Sequence, residues 1–300
     1  MSTENHAVRT VEQLLAVLDL DSTQARTTED IFTGASHPMP SGRIYGGQVL
    51  AQSLIAAERT LPEDRAVHSM HGYFLRPGDA SQGITIAVDR IHDGRSFSTR
   101  RSQAYQNGVP IFSMIASFQD EGPGVEHAEP MPTDVPAPED LLPDEATVEG
   151  LPGGAARMLT DRAADVRHIG QPLYLPNTDE RVPQQGVWMR LRAPLPDDPR
   201  LHRAALAYLS DMTIQESILR AHGAYWALPG LKVASLDHAM WWHRPARVDD
   251  WLLYVQESPN ARGGRGLATG RIYTRDGSLV ASVAQEIMIR VPDVDSPAQA

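Results

Sequence analysis

The sequence predicts an α+β fold made of two copies of one unit, in which a buried helix is followed by an antiparallel meander of strands. A helical apolar pattern followed by β-rich segments occurs before residue 120 and again after residue 185. Short motifs also recur at a constant separation, since Leu75-Arg76-Pro77 matches His243-Arg244-Pro245 168 residues later. A repeat of this length indicates two copies packed together as a pseudo-dimer.

The first unit is predicted to span residues 1–120. Apolar residues at helical spacing between 11 and 20 indicate a short amphipathic helix. Gly46-Gly47 leads into QVLAQSLIAAERTL, which is apolar around most of its circumference, so we expect a sheet to wrap around this helix. Four β-rich runs separated by turn residues supply the sheet: VHSMHGYFL, ITIAVDRI, SFSTRRSQAYQ and VPIFSMIASF.

Residues 121–185 are predicted to form a proline-rich linker, with a short helix around residues 155–166 as its main regular element. The second unit is predicted over residues 186–291. It begins with the strand-like GVWMRLR, continues with a helix in SDMTIQESILRAHG, and ends in strands that include VASLDHAMWWH and LVASVAQEIMI. Residues 292–300 are expected to be a disordered tail.

Composition excludes several classes of partner and chemistry. The net charge of −11 disfavours nucleic acid and anionic membranes, since both bind through a basic field. The absence of cysteine excludes disulfides, zinc–thiolate sites and cysteine nucleophiles. The polar, acidic N-terminus and the lack of a long apolar run predict a cytoplasmic protein that uses no membrane. His71, His238 and His243 do not have metal-ligand spacing, so we expect no metal.

Three polar residues stand inside apolar stretches of the second unit: Asp211, Ser235 and Gln285. A polar side chain within a core needs a hydrogen-bonding partner. Gln285 shares a strand face with Val283 and Ile287, so its own surroundings are predicted to be apolar. We therefore predict that the three residues converge on one shared water molecule.

Four segments resemble the type II acyl-CoA thioesterases, the TesB-like group: RIYGGQVLAQSL, HGYFLRPG, LDHAMWWHRP and DGSLVASVAQE. The resemblance implies a double hotdog fold, each half a curved antiparallel sheet wrapped around one long helix. It also implies hydrolysis of fatty acyl-CoA to free fatty acid and CoA without a cofactor. The family's catalytic aspartate, hydroxyl residue and glutamine correspond to Asp211, Ser235 and Gln285. By analogy with hotdog proteins, a homo-oligomer is expected.

Hydrolysis by water needs a proton acceptor and groups that orient the water. Ionised Asp211 would take the proton, while Ser235 and Gln285 would fix the water. Two alternatives to this assignment stay open. The first is that Asp211 is only a helix N-cap, a position that aspartate often takes, although a capping box from Thr213 to Glu216 would release it from that role. Asp237 shares a strand face with Ser235 and is the alternative base or a supporting hydrogen-bond partner.

The remaining candidate substrate-binding residues are Gly46, Gly47, Arg262 and Arg265. The two glycines place N–H groups at a helix N-terminus, where they would cradle a thioester oxygen or a phosphate, or they simply admit the chain to a crowded helix. The arginines would meet CoA phosphates or stay solvated in a hairpin.

Two other functions stay open: a non-catalytic acyl-CoA-binding module and a hotdog enoyl-CoA hydratase. In the first unit the positions that match the second-unit site are near Ser69 and Ala116. Alanine cannot orient a water molecule, so we expect the chemistry to reside in the second unit.

Overall fold

The computed structural model describes residues 3–25, 27–147, 149–151, 153–176 and 181–292. The predicted tail therefore lies outside the described residues from 293 onward. The elements up to residue 120 are helices α1 (Thr3–Leu18) and α2 (Gly46–Glu58) and strands β1 (Asp21–Ser22), β2 (Asp30–Gly34), β3 (Arg65–Phe74), β4 (Ile84–Asp93), β5 (Phe97–Gln106) and β6 (Val109–Asp120).

Two short 3₁₀ turns follow, at Pro138–Asp140 and Asp144–Thr147. The remaining elements are helices α3 (Gly153–Thr160), α4 (Pro199–Ser210) and α5 (Glu216–Ala221) and strands β7 (Ala164–Ile169), β8 (Gln184–Leu191), β9 (Lys232–Ser235), β10 (Asp237–Trp242), β11 (Leu252–Arg262), β12 (Arg265–Thr274) and β13 (Leu279–Arg290). Below, the first half means α2 with β2–β6, and the second half means α4 and α5 with β7–β13.

In the described residues the strands form one antiparallel sheet in the order β1-β2-β4-β5-β6-β3-β10-β13-β12-β11-β8-β7, with β9 pairing separately with β13. The halves join where β3 pairs with β10, and Met70 lies opposite Met240 there. Helices α2 and α4 pack against each other on the inner side of the sheet. Residues Gly47–Glu58 of α2 are all buried, which confirms the predicted wrapped helix. None of the described helices is long and apolar enough to cross a bilayer.

The segment predicted as linker contains a strand that the sequence did not predict. The expected short helix is present as α3, but it ends at Thr160, and residues 164–169 form β7 instead. β7 pairs with β8 along its length, with Ala164 opposite Leu191 and Ile169 opposite Gly186. The prediction missed β7 because its short apolar pattern lies within proline-rich chain, where only pairing with β8 reveals a strand.

The helix predicted over residues 210–223 is present only in part, as α5 (Glu216–Ala221). The main helix of the second half is α4, which ends at Ser210 with Asp211 as its C-cap. Its N-cap is Asp198, whose carboxylate accepts from the Arg200 N–H at 2.9 Å, with Pro199 at the first helical position. Asp211 is therefore not an N-cap. The proposed capping box is also wrong, since the Glu216 carboxylate contacts His168 at 2.7 Å.

The predicted single strand VASLDHAMWWH is two strands, β9 and β10, separated at Leu236. Ser235 lies opposite Ile287 of β13, whereas Ala239 lies opposite Ala284, so the register shifts by one residue between them. Because of this break, alternation along the strand no longer places Ser235 and Asp237 on the same face of the sheet. The Asp237 carboxylate accepts from the backbone N–H of Glu286 at 2.7 Å.

Candidate active site

Asp211 lies where the C-terminus of α4 meets the N-terminus of α2. Its side chain is buried, and its carboxylate accepts a hydrogen bond from the Gly47 N–H. A Cβ at Gly46 would lie 2.7 Å from Asp211 Oδ2, and a Cβ at Gly47 would lie 2.4 Å from the Tyr208 carbonyl oxygen. Both glycines are thus required for this close approach. The positive end of the α2 dipole faces the carboxylate of Asp211.

The three predicted catalytic side chains come together at this point. The Gln285 amide nitrogen lies 2.9 Å from Asp211 Oδ1 and 2.5 Å from Ser235 Oγ. Ser235 Oγ lies 3.4 Å from the same Asp211 oxygen. Gln285 is fully buried on β13, while Ser235 at the end of β9 is half-buried. The convergence places a carboxylate, a hydroxyl and an amide within reach of one small molecule.

Burial raises the pKa of Asp211 to about 6, against hydrogen bonds from Gln285, Gly47 and Ser235 that lower it. The carboxyl is therefore ionised at pH 7 but close to its titration point. A group with a pKa near the working pH is an efficient general base, because it is charged and still accepts a proton readily.

His238 is a site residue whose position the sequence analysis did not identify. It is fully buried on β10, with Nδ1 3.0 Å from Gln285 Oε1 and Nε2 3.0 Å from Ser210 Oγ. Burial lowers its pKa to about 4, against a smaller opposite effect of Gln285. The available signal was cross-strand register, since Ala239 lies opposite Ala284 and His238 is therefore opposite Gln285.

A cavity of about 920 Å³ lies beside the site. Tyr45 and Met212 line it, and the Tyr45 hydroxyl donates to the Tyr208 carbonyl at 2.8 Å. Burial raises the pKa of Tyr45 well above its usual value, and the negative charge of Asp211 adds to this effect. The other walls include residues of α1 and α3: Thr10, Gln13, Leu14, Val17, Ala155, Met158 and Leu159. The sequence did not predict this cavity, because its walls come from segments distant along the chain.

The other predicted binding residues lie outside this convergence. The Asp237 carboxylate instead accepts a hydrogen bond from the backbone N–H of Glu286. Arg262 and Arg265 flank the exposed turn between β11 and β12, where Arg265 forms an ion pair with Glu286 at 3.1 Å. Across the described ranges, no group of three or more His, Asp or Glu side chains is arranged to hold a metal ion.

Two models of known families match the sequence. Residues 171–288 match the acyl-CoA thioesterase family, and residues 35–119 match the acyl-CoA thioesterase N-terminal domain. Human acyl-coenzyme A thioesterase 8 is 38% identical over 275 residues, covering 88% of this chain and 85% of the relative. Acyl-CoA thioesterase 2 of Haemophilus influenzae is 38% identical over 264 residues, covering 87% and 92%.

Solved structures show the same fold. The acyl-CoA thioesterase II TesB2 of Mycobacterium marinum has a TM-score of 0.76 at 43% identity, covering 94% of this chain and 99% of that one. A hot dog fold protein of Alicyclobacillus acidocaldarius has a TM-score of 0.74 at 20% identity, covering 93% and 98%. The matched families and solved structures thus define a double hotdog protein of the thioester hydrolase class. The chain belongs to the acyl-CoA thioesterase family, as its resemblance to the type II members predicts.

Proposed function

We propose that this enzyme hydrolyses fatty acyl-CoA to free fatty acid and CoA with a water molecule activated by Asp211 and oriented by Ser235 and Gln285. The observation that carries the proposal is the convergence of these three side chains, with two contacts of 2.9 Å and 2.5 Å from one amide nitrogen. A carboxylate, a hydroxyl and an amide together supply a proton acceptor and two orienting groups.

The reaction proceeds by direct attack. The Asp211 carboxylate takes a proton from water while the water oxygen bonds to the thioester carbonyl carbon. The resulting tetrahedral intermediate collapses, the carbon–sulfur bond breaks, and the CoA sulfur leaves with the electron pair. Asp211 returns its proton to this thiolate, which restores the carboxylate for the next turnover.

The cavity beside Tyr45 supports an acyl-binding role. Its volume of about 920 Å³ lies within the usual range for pockets that bury small ligands. Apolar side chains of α1 and α3 supply the surface that a hydrocarbon chain requires. We assign the acyl group to this cavity, with the thioester carbonyl at the end lined by Tyr45, Tyr208 and Met212, the last of which directly follows Asp211 in the chain.

The exposed β11–β12 turn supports a CoA-binding role. Arg262 and Arg265 flank this turn, and Arg290 donates to the Gly264 carbonyl at 2.8 Å within it. Lys232 lies opposite Arg290 on the neighbouring strand. Lys232 is three residues before Ser235, which corresponds to roughly 10 Å along a strand. The basic side chains of this turn, together with Lys232 and Arg290 beside it, would bind the CoA phosphates.

The structure offers less support for the two alternative functions. A hydratase would use a histidine beside the acidic residue, but both ring nitrogens of His238 already contact Gln285 and Ser210. A non-catalytic binding module would not need a buried carboxyl whose pKa lies near 6.

Assembly and location stay predictions. A homo-oligomer is supported by Tyr73, Ile115 and Trp241, exposed large side chains on the neighbouring strands β3, β6 and β10. Sedimentation velocity of the wild type and of Ile115→Lys would test whether a second copy covers this face. Cell fractionation would test the expected cytoplasmic location.

The mechanism is tested by comparing Asp211→Asn with Asp237→Asn in an assay of CoA thiol release. Loss of the base should lower kcat by about 10²- to 10⁴-fold, the usual contribution of general base catalysis. Asp237→Asn should stay within about threefold of wild type, because Asp237 holds only a backbone N–H. Near-normal turnover by Asp211→Asn would overturn the mechanism, and tight acyl-CoA binding without thiol release by the wild type would support the binding module.

A further inference from the structure

His238 is a buried polar residue that the reaction steps above do not use. We propose that His238, supported by Ser210, is a positioning residue that fixes the Gln285 carboxamide so that its NH₂ group faces Asp211 and Ser235. This inference rests on the proposed function, because it concerns the geometry of the same site. His238 itself touches neither the substrate nor the reacting water.

The donor and acceptor groups around Gln285 allow one arrangement. An ionised carboxylate only accepts hydrogen bonds, so the Gln285 atom 2.9 Å from Asp211 must be the amide nitrogen. The amide oxygen then faces His238 Nδ1 at 3.0 Å, which requires Nδ1 to carry a proton. Neutral imidazole has one N–H, so Nε2 is an acceptor. The Ser210 hydroxyl has two acceptors within reach, the Ala207 carbonyl at 2.9 Å and Nε2 at 3.0 Å, and in this arrangement it donates to Nε2.

These contacts form a closed ring. The chain runs from the Ser210 hydroxyl to His238, from His238 to the Gln285 oxygen, and from the Gln285 nitrogen to Asp211, which directly follows Ser210. Burial lowers the pKa of His238 to about 4, so the ring is neutral near pH 7, and its contacts with Gln285 and Ser210 select one tautomer. A reversed amide would point its oxygen at the carboxylate, and the resulting repulsion would raise the pKa of Asp211.

The three tyrosines near Asp211 do not change their protonation state between pH 5 and 8. Tyr45 lies before α2, Tyr208 lies on α4, and Tyr254 lies on β11 with its hydroxyl donating to the Ser210 carbonyl at 3.1 Å. Burial raises the pKa of each tyrosine, that of Tyr208 to about 12. All three are therefore neutral between pH 5 and 8, and an altered acidic limb in this window reports on Asp211.

The first half supplies a matched substitution. Met70 lies opposite Ala116 there, at the positions that His238 and Gln285 occupy in the second half, and both are fully buried. Methionine at this point of the sheet is therefore compatible with the fold. Asparagine is the conservative alternative, because its amide nitrogen is as many bonds from Cα as His Nδ1 and also donates.

The experiment compares His238→Met, His238→Asn and Ser210→Ala for kcat, KM, the pH profile and the urea unfolding midpoint. We expect His238→Met to lower kcat at least tenfold with KM within twofold and to move the acidic limb to higher pH. His238→Asn should recover most of the kcat and restore the limb. Ser210→Ala should lower kcat severalfold, because it frees the other tautomer.

Two kinetic results would overturn the inference: an unchanged kcat and acidic limb in His238→Met, or equal losses in the methionine and asparagine variants at equal stability. Nitrogen NMR of the wild type gives a readout independent of activity, with a proton on Nδ1 expected and a proton on Nε2 contradicting the proposal. An active Asp211→Asn enzyme would instead defeat the proposed function. An inactive Asp211→Asn enzyme beside an unaffected His238→Met enzyme would defeat only this inference.

Discussion

Each half of the molecule has a buried carboxyl at the C-terminal end of its central helix, but the groups around the two carboxyls differ. Glu58 and Asp211 are each the thirteenth residue counted from the start of their helix, at Gly46 in α2 and Pro199 in α4. Because the helices pack with opposite directions, each carboxyl lies near the start of the other helix. Asp211 meets Gly47, and Glu58 lies near Arg200 and Arg203.

The difference lies in the hydrogen-bond donors. Within the described residues both Glu58 oxygens lack a hydrogen-bonding partner, and burial raises its pKa to about 8 against the attraction of Arg203 and Arg200. Asp211 is equally enclosed, but three donors hold its pKa at about 6. A buried carboxyl without hydrogen-bond donors, such as Glu58, is therefore a neutral acid at pH 7. Hydrogen-bond donors keep the buried carboxyl of Asp211 ionised, so that it can act as a base.

The largest effect is expected when a site residue of the second half is replaced by the residue at the matching position of the first half. Gln285→Ala copies Ala116 and removes the donor to Asp211 and Ser235, so kcat should fall by about 10²- to 10³-fold, as for other lost positioning donors. Thiol-release kinetics measure this. Ala116→Ser is the matched control and should keep kcat within about twofold. A Gln285→Ala enzyme within threefold of wild type would contradict the assigned role.

The pH dependence separates the two carboxyls. Asp211 acts when ionised, so kcat/KM should fall about tenfold per pH unit below its pKa of about 6 as the carboxylate becomes protonated. Glu58 titrates near pH 8 but lies in the other half, so Glu58→Gln should give a superimposable profile. An acidic limb that moves in Glu58→Gln would show that the halves are electrostatically coupled.

Glu58 should instead affect stability. Its folded pKa of about 8 exceeds its ordinary value of 4.5, so the folded state binds the extra proton between these values. The contribution to stability is complete below pH 4.5 and is lost as pH rises through 8. Relative to Glu58→Gln, the wild type should lose a few kcal/mol between pH 5 and 8, at about 1.4 kcal/mol per pKa unit.

Urea unfolding of both proteins at pH 5 and pH 8 measures this difference. Glu63→Gln, which replaces an exposed glutamate by the same amide, is the matched control. Parallel curves for the wild type and Glu58→Gln would mean that Glu58 is ionised in the folded protein.

The smallest effect concerns the hydroxyl position. Val67 lies opposite Phe118 in the first half as Ser235 lies opposite Ile287 in the second. Ser235→Val introduces the residue of the first half and should lower kcat about tenfold. Ser235→Thr adds a side chain of the same shape as valine but keeps the hydroxyl, so kcat should stay within threefold of wild type. Equal rates for the two variants would show that side-chain volume, and not the hydroxyl, matters at this position.

The sequence predicted the fold well where periodic patterns were long. The wrapped helix α2 and strands β3–β6 follow directly from apolar spacing, whereas β2 was not predicted. Motif resemblance located Asp211, Ser235 and Gln285. Prediction failed for β7, because a short strand inside proline-rich chain carries a weak local signal. It failed for the start of α4 as well, although the N-cap Asp198 and Pro199 at the first helical position are a typical helix start. It also failed at Leu236, where a one-residue register shift depends on pairing with β13.

The sequence by itself determined the duplicated α+β architecture, the family and the three polar residues, because periodicity and motifs are properties of neighbouring positions. Tertiary structure alone decided which groups surround each carboxyl. The Gly47 N–H comes from the first half, Gln285 comes from a distant strand, and His238 orients toward Gln285 only through cross-strand register. Charge at a buried group depends on burial and on donors in space, and neither is encoded in adjacent residues.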